Sequence, residues 1–175
     1  VSFSPLNNYF IDSYSQPNVP AVTTFRSVSG KLVTNLERGD VSRLIAKGWK
    51  APIPVSVKAH DGKTDIYGLV FTPTTIDPDK KYPVIDYIYP GPQGGSVGSW
   101  SFSASRGDHQ ALAELGFIVV MIEGTSNPFR SKAFHDMSYG NMAENTLPDQ
   151  IAAIRALAKT YPIDTNKVGI WGHSG

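Results

Sequence analysis

Apolar and polar positions follow two different rhythms along this chain, and the change comes near residue 50. Before it, short β-branched and aromatic runs alternate with turn residues. Tyr9 to Tyr14, Ala21 to Ser27 and Lys31 to Leu36 read as strands. Asn7-Asn8 leads into the first of these, Gln16-Pro17-Asn18 and Pro20 break it, and Val28-Ser29-Gly30 joins the second tightly to the third. Such a meander cannot bury its own face and needs neighbours, as one blade of a propeller would. Only one such unit is visible, so no internal repeat can be demonstrated.

From about Val55 the pattern becomes one of strands alternating with helices. Val55 to Ala59 and Ile66 to Thr72, joined by an Asp61-Gly62 turn, predict a hairpin of two edge strands. Val84 to Tyr89 is more continuously apolar. Gln110 to Leu115 predicts a short helix stopped by Gly116. The unbroken apolar run Phe117 to Ile122 is what a parallel strand buried on both faces requires. A polar loop from Glu123 to Asn145 is expected next. Thr146 then reads as the cap of a helix with Pro148 in its first turn and Asp149 near its positive end. Ile151, Ile154, Leu157 and Ala158 form that helix's apolar stripe. Asp164-Thr165-Asn166 turns the chain into a last short strand, Val168 to Trp171. The whole order predicts the first half of a mixed, mostly parallel α/β sheet.

Composition narrows the function. Sixteen basic and fifteen acidic residues leave a formal charge of +1 and no concentrated basic face, which speaks against nucleic acid as a partner. No apolar stretch approaches the ~20 residues of a membrane span. The absence of cysteine excludes disulfides, thiolate metal sites and a cysteine nucleophile from these 175 residues. The chain opens on Val1 within a strand-like pattern, without signal peptide or initiator Met, and stops inside a motif. A longer parent polypeptide is therefore expected.

That motif carries the chemistry. The last strand runs into Gly172-His173-Ser174-Gly175, four positions of a G-x-S-x-G nucleophile elbow. A sharp strand-to-helix turn holds such a serine in a strained conformation and projects its hydroxyl from the sheet edge. The flanking positions must then be almost free of side chain, which Gly172 satisfies. Taken alone, Gly-x-Ser-Gly is frequent by chance. The residues by themselves leave a structural turn as open as an elbow.

Three blocks carry a resemblance. Val168 through Gly175 resembles the elbow segment of the prolyl oligopeptidase family of serine peptidases, in its dipeptidyl peptidase IV-like branch. Tyr82 through Pro92, ending Tyr89-Pro90-Gly91-Pro92, is similar to that branch's strand and Tyr-x-Gly-Pro turn. Gly124 through Asn141, with Arg130-Ser131-Lys132-Ala133-Phe134 and Ser138-Tyr139-Gly140-Asn141, resembles the loop after the fourth strand. The resemblance covers about residues 50 to 175. It implies the first half of an α/β-hydrolase domain at 48–175, preceded at 1–47 by the last blade of a β-propeller.

What the resemblance implies for mechanism is specific. Ser174 is expected as the acyl-forming nucleophile, with its base and acid in the order serine, acid, histidine and so beyond Gly175. The phenol of Tyr89 and the backbone N–H of Gly175 are expected as oxyanion donors. The isolated chain is then expected to be inactive, to need the missing half of its catalytic domain and an N-terminal propeller, and to require no cofactor. A peptide is the expected substrate, with release of short N-terminal pieces. The resemblance also allows a homodimer and points to a periplasmic, secreted or membrane-anchored parent. A carboxylesterase-type acyl hydrolase and a non-catalytic interaction protein on the same scaffold stay open. Against the esterase, Tyr89-Pro90-Gly91-Pro92 stands where a His-Gly-Gly-Gly loop would be.

The remaining chemistry-bearing residues read as structural. His60, His109, His135 and His173 all precede the serine, and their spacing matches no metal motif. Asp86 and Glu123 are expected in structural hydrogen bonds, and Arg130 and Lys132 in solvent. Gly94 to Gly98 lacks the Lys-Ser/Thr of a phosphate loop and reads as a flexible turn. Trp49, Trp100 and Trp171 are expected in core or junction packing.

Overall fold

The computed structural model describes residues 1–89 and 91–173, with the side chains of residues 142–145 excepted. Pro90 and the two elbow residues Ser174 and Gly175 therefore lie outside the described residues. By its contacts the chain divides into two units, Val1–Ala51 with Ser99–Ala104, and Pro52–Gly98 with Ser105–Gly175.

The first unit is an antiparallel sheet of β1 (Ser2–Phe3), β2 (Tyr9–Gln16), β3 (Val19–Ser27) and β4 (Leu32–Arg38), paired in chain order. The expected three-strand meander gains β1, whose Phe3 pairs with Phe10. Cross-strand contacts hold its register. Tyr9 and Phe25 stack with ring centroids 5.1 Å apart, and Arg26 Nε lies 3.6 Å from Asp12 Oδ2. Every residue of β4 is exposed. A short helix α1 (Ser42–Ile45) follows. Ser99–Ala104 joins this unit through Trp49, whose indole donates to the Ala104 carbonyl at 2.9 Å and meets the Phe102 ring edge-on. Phe102 N–H donates to Ser15 Oγ at 3.0 Å.

The second unit holds a five-stranded sheet, β5 (Ile53–Lys58), β6 (Asp65–Phe71), β7 (Tyr82–Ile88), β8 (Ile118–Glu123) and β9 (Ile163–Gly172), in spatial order β5-β6-β8-β7-β9. The fold is thus mixed α/β with two separate sheets. β5, β6 and β8 pair antiparallel, while β8, β7 and β9 run parallel. β6 was expected at an edge, but it lies between β5 and β8. Its burial pattern, with only Asp65 and Tyr67 exposed, is that of an interior strand. β8 is buried on both faces from Ile118 to Ile122, as its apolar run requires. β9 is longer than expected because Ile163 already pairs with Tyr82. Asp164 to Lys167 then bulge outward, with Asn166 N–H donating to Asp164 Oδ1, before Val168 resumes pairing opposite Val84.

The two crossovers dictate where the helices go. β7 to β8 moves one way across the sheet and β8 to β9 moves the other. Right-handed connections then place α2 (His109–Glu114) and α4 (Met142–Leu157) on opposite faces. Accordingly Ile66, Val70, Val84, Ile118, Val120 and Ile122 form one core with Ala153, Ile154 and Leu157 of α4. On the other face α2 packs against β6 and β8, and its buried His109 sits among the rings of Phe71, Tyr87 and Trp171.

Three expectations about the segment before β9 need correction. The 123–145 stretch is not all loop, since it holds α3 (Lys132–His135), capped by Ser131 Oγ, and a 3-10 turn at Asp136–Ser138. It also holds the start of α4, so Pro148 lies inside that helix rather than in its first turn. The buried stripe of α4 is rotated as well. Ile151 is 43% exposed, whereas Thr146, Asp149 and Gln150 are buried beside Ala153, Ile154 and Leu157. Polar residues tolerate that face because partners wait there, and Gln150 Nε2 donates to the Ile122 carbonyl at 3.1 Å.

Candidate active site

Sites on open α/β sheets form at the carboxyl ends of the parallel strands. In this sheet those ends carry Glu123 on β8, Ile88 and then Tyr89 on β7, and Gly172 and then His173 on β9. The parallel register sets Ile88 opposite Gly172, so Tyr89 leaves the sheet beside the strand that leads into the Gly172-His173-Ser174-Gly175 motif. The approach at that pair is close. A Cβ added to Gly172 would overlap the Ile88 carbonyl oxygen. Glycine is therefore demanded by β7 itself, in addition to any demand of a sharp turn beyond. His173 is exposed.

Tyr89 is half-buried and held at both of its ends. Its backbone N–H donates to Ser96 Oγ at 3.0 Å, which curls the following segment back on the strand end. Its phenol oxygen accepts from Gln93 Nε2 at 2.8 Å. A phenol that accepts in this way keeps its own O–H to donate to something else. Gly91 and Gly94 pass beside the ring, where added Cβ atoms would come within 2.9 and 3.2 Å of Tyr89 Cε1.

The glycine-rich stretch, expected to be a flexible turn, is pinned by Glu123. Glu123 Oε1 accepts from Val97 N–H at 2.7 Å and from Gly98 N–H at 3.1 Å, and Oε2 accepts from Asn127 Nδ2. Gly95 has φ +79° and lies against the same carboxylate, which a Cβ would overlap. Burial pushes the Glu123 carboxyl up to about 7, against the downward pull of the Val97, Gly98 and Ser96 amides and of Asn127. Asp86, opposite Val120 in the middle of β7, is also pushed up to about 7 by burial. Its Oδ1 finds no hydrogen-bond partner among the described residues. The structural role expected for Glu123 is filled by hydrogen bonds, whereas Asp86 is an under-satisfied carboxyl in the apolar face.

A second buried carboxylate, read from sequence only as a helix-end charge, organises the far side of the sheet. Asp149 is fully buried; its Oδ1 accepts from His60 N–H at 3.0 Å and lies 2.6 Å from His60 Nδ1. Its Oδ2 accepts from both Thr125 N–H and Thr125 Oγ, each at 2.7 Å. One side chain thus ties the β5–β6 turn, the end of β8 and α4 together. The sequence signal was the spacing of Asp149, Gln150, Ala153 and Leu157 on one helical face, masked by the more obvious Ile151.

The other singled-out residues lie apart from the strand ends or support them indirectly. His109 is buried, and burial holds its imidazole below the usual range and hence neutral. Arg130 is not simply solvated, because its guanidinium lies 4.1 Å from the Phe134 ring centroid and 5.4 Å from that of Tyr67. Lys132 pairs with Asp136 one turn on. His135 Nε2 meets the Pro92 carbonyl at 3.0 Å, and a concavity of about 370 Å³ opens beside them, lined also by Asp136, Ser138, Tyr139 and Gly140. Among the described residues no group of three or more His, Cys, Asp or Glu side chains is placed to hold a metal ion.

The prolyl oligopeptidase family matches residues 100–175. "Probable dipeptidyl-aminopeptidase B" of Emericella nidulans is 30% identical over 178 residues, which is 99% of this chain and 19% of that protein. Human dipeptidyl peptidase 8 is 33% identical over 110 residues, 62% of this chain and 12% of its own length. A crystal structure from Bacteroides ovatus, assigned as a dipeptidyl aminopeptidase IV, superposes with a TM-score of 0.79 at 26% identity, covering 97% of this chain and 24% of that one. Dipeptidyl peptidase 4 of Porphyromonas gingivalis has the same fold over 94% of this chain and 23% of its own, with a TM-score of 0.74. The chain spans about a fifth of the length of the full-coverage relatives it matches. Residues 100–175 match the prolyl oligopeptidase family, and over nearly its whole length the chain is similar to proteins described as dipeptidyl aminopeptidases.

Proposed function

We propose that this chain is part of a serine peptidase that releases dipeptides from peptide N-termini through an acyl-enzyme on Ser174. The carrying observation is the parallel register that sets Ile88 opposite Gly172. It supports a shared site for the Tyr89 phenol and the segment that continues to Ser174.

In this reading Ser174 attacks the scissile carbonyl carbon and gives its proton to a histidine supplied beyond residue 175, which then protonates the leaving amine. Tyr89 donates its O–H to the oxyanion while Gln93 supports the phenol from behind, and the Gly175 N–H is the second donor. Residues 48–175 form the first half of an α/β-hydrolase domain, and 1–47 the last blade of a propeller that would confine the substrate to short peptides. The isolated chain is inactive for want of the acid and the base.

The test is covalent labelling of the full-length protein with a fluorophosphonate, mapped by mass spectrometry, beside a Ser174→Ala variant. A single adduct at Ser174, absent from the variant, is expected. A folded protein that takes no adduct would move the reading to a non-catalytic scaffold. Labelling without release of dipeptides from peptide substrates would move it to an acyl hydrolase of another kind.

A further inference from the structure

We propose that Glu123 is a positioning residue for Tyr89, acting at a distance through the segment from Gly91 to Gly98. The inference rests on the reading of Tyr89 as an oxyanion donor and adds a residue to that same site. Glu123 does not touch the phenol. It ends β8, on the far side of β7 from β9, and its Oε1 gathers the amides of Val97 and Gly98. Ser96, the residue before that pair, is buried and accepts the Tyr89 N–H through its hydroxyl. Gln93, earlier in the same segment, donates to the phenol oxygen.

Both anchors of Tyr89 therefore hang on a loop whose return to the sheet is fixed by one half-buried carboxyl. The geometry is exclusive. Gly95 lies so close that any side chain there would displace the carboxyl. Asn127 holds the second oxygen, so the carboxyl has one orientation. Its hydrogen-bonding demands are those of an acceptor toward Val97 and Gly98, and they do not need the negative charge. Asn127 Oδ1 has no partner among the described residues, so a rotated Asn127 amide can accept from a glutamine at position 123. Glutamine should therefore replace Glu123, and alanine should not.

The discriminating experiment measures inactivation of the full-length protein by a fluorophosphonate, resolving kinact from KI, because serine attack on phosphorus with loss of fluoride develops charge on a phosphoryl oxygen that the same donors would hold, and it needs no knowledge of the natural substrate. Tyr89→Phe is expected to lower kinact by roughly 10²–10³-fold. Glu123→Ala is expected to lower kinact by about tenfold with KI unchanged, a loss typical of sub-ångström misplacement. Glu123→Gln should stay within about twofold of the parent, since its acceptor is retained. Added to Tyr89→Phe, Glu123→Ala should cost less than about twofold more, because residues acting as a unit are not additive.

Should Glu123→Ala fail to fold, Ser96→Ala carries the same prediction, a loss of kinact that vanishes in the Tyr89→Phe background. A slow Tyr89→Phe beside a Glu123→Ala or Ser96→Ala of parental rate would overturn the positioning role alone. Additive losses in the double variant would overturn it too, since they would mark general damage to the sheet edge. A Tyr89→Phe variant as fast as the parent would instead remove the oxyanion reading on which the inference stands.

Discussion

Gly172 of β9 lies against the Ile88 carbonyl oxygen of β7 with no room for a methyl group between them. The strand that leads to the proposed nucleophile is thereby registered by contact as well as by hydrogen bonds. Gly172→Ala must push β9 off β7 or twist its end. A loss of about 1–3 kcal/mol, the usual cost of overpacking, is expected from urea denaturation of the full-length protein. Labelling of Ser174 should fall with it. An alanine variant of parental stability would mean that β9 is free to shift at this point.

Asp149 gives the largest expected loss among core substitutions. Asp149→Ala strips a fully buried acceptor from the amides of His60 and Thr125, the Thr125 hydroxyl and the His60 ring. Each buried donor left unpaired costs about 1–3 kcal/mol, so a total on the order of 3 kcal/mol is expected after relaxation. Asp149→Asn keeps one good acceptor and should lose less. The midpoints of denaturant unfolding for the two variants check both the size and the ranking.

Asp86 makes stability depend on pH in a defined direction. Its carboxyl ordinarily titrates near 3.8 and is pushed up to about 7 here. The folded state therefore binds the proton more tightly than the unfolded chain. Stability from this group is complete below the unfolded value and is lost as pH rises through about 7. Glu123 acts in the same direction, which steepens the loss. Asp86→Asn should be more stable than the parent at pH 8 by on the order of 2 kcal/mol, with little difference at pH 4. A parent whose stability is flat between these values would contradict the buried environment described for Asp86.

Gly95 tests the loop without touching Tyr89. Its φ of +79° already disfavours a side chain, and a methyl there would also strike the Glu123 carboxyl. Gly95→Ala is expected to cost about 1–3 kcal/mol through strain and overpacking. Gly98→Ala, also at positive φ but facing open space, should cost less. Thermal unfolding of the pair separates the contact from the backbone conformation.

The parts of the fold that were legible are those whose local pattern suits one kind of element best. Phe117 to Ile122 is an unbroken apolar run that an interior strand buries, and the β-branched and aromatic runs set between turn residues from Tyr9 to Ser27 fit a meander. What escaped was set by neighbours distant in sequence. β6 reads as an edge strand until β8 arrives beside it. Ile151 reads as core until Asp149 and Gln150 find acceptors and donors on the sheet.

At the site, the Gly-His-Ser-Gly string stood out as a motif, while Tyr89 was singled out only by the family resemblance and would otherwise read as a strand-end aromatic. The role of Glu123 was not legible, because two backbone amides and a glycine contact leave no mark on the sequence of the residue that serves them. Arg130 escaped for a similar reason, since the aromatic faces that receive it come from elsewhere in the chain.

Strand order carries one more consequence, for the order of assembly. β8 lies between β6 and β7 but follows both in the chain, and β7 gains its second neighbour only when β9 is made. A polypeptide emerging from its N-terminus therefore presents two open strand edges long before either can be closed. Such edges invite pairing with other chains, and pairings this distant in sequence are slow to form. The half-synthesised protein is thus the species with the most to gain from a chaperone, more so than the finished sheet.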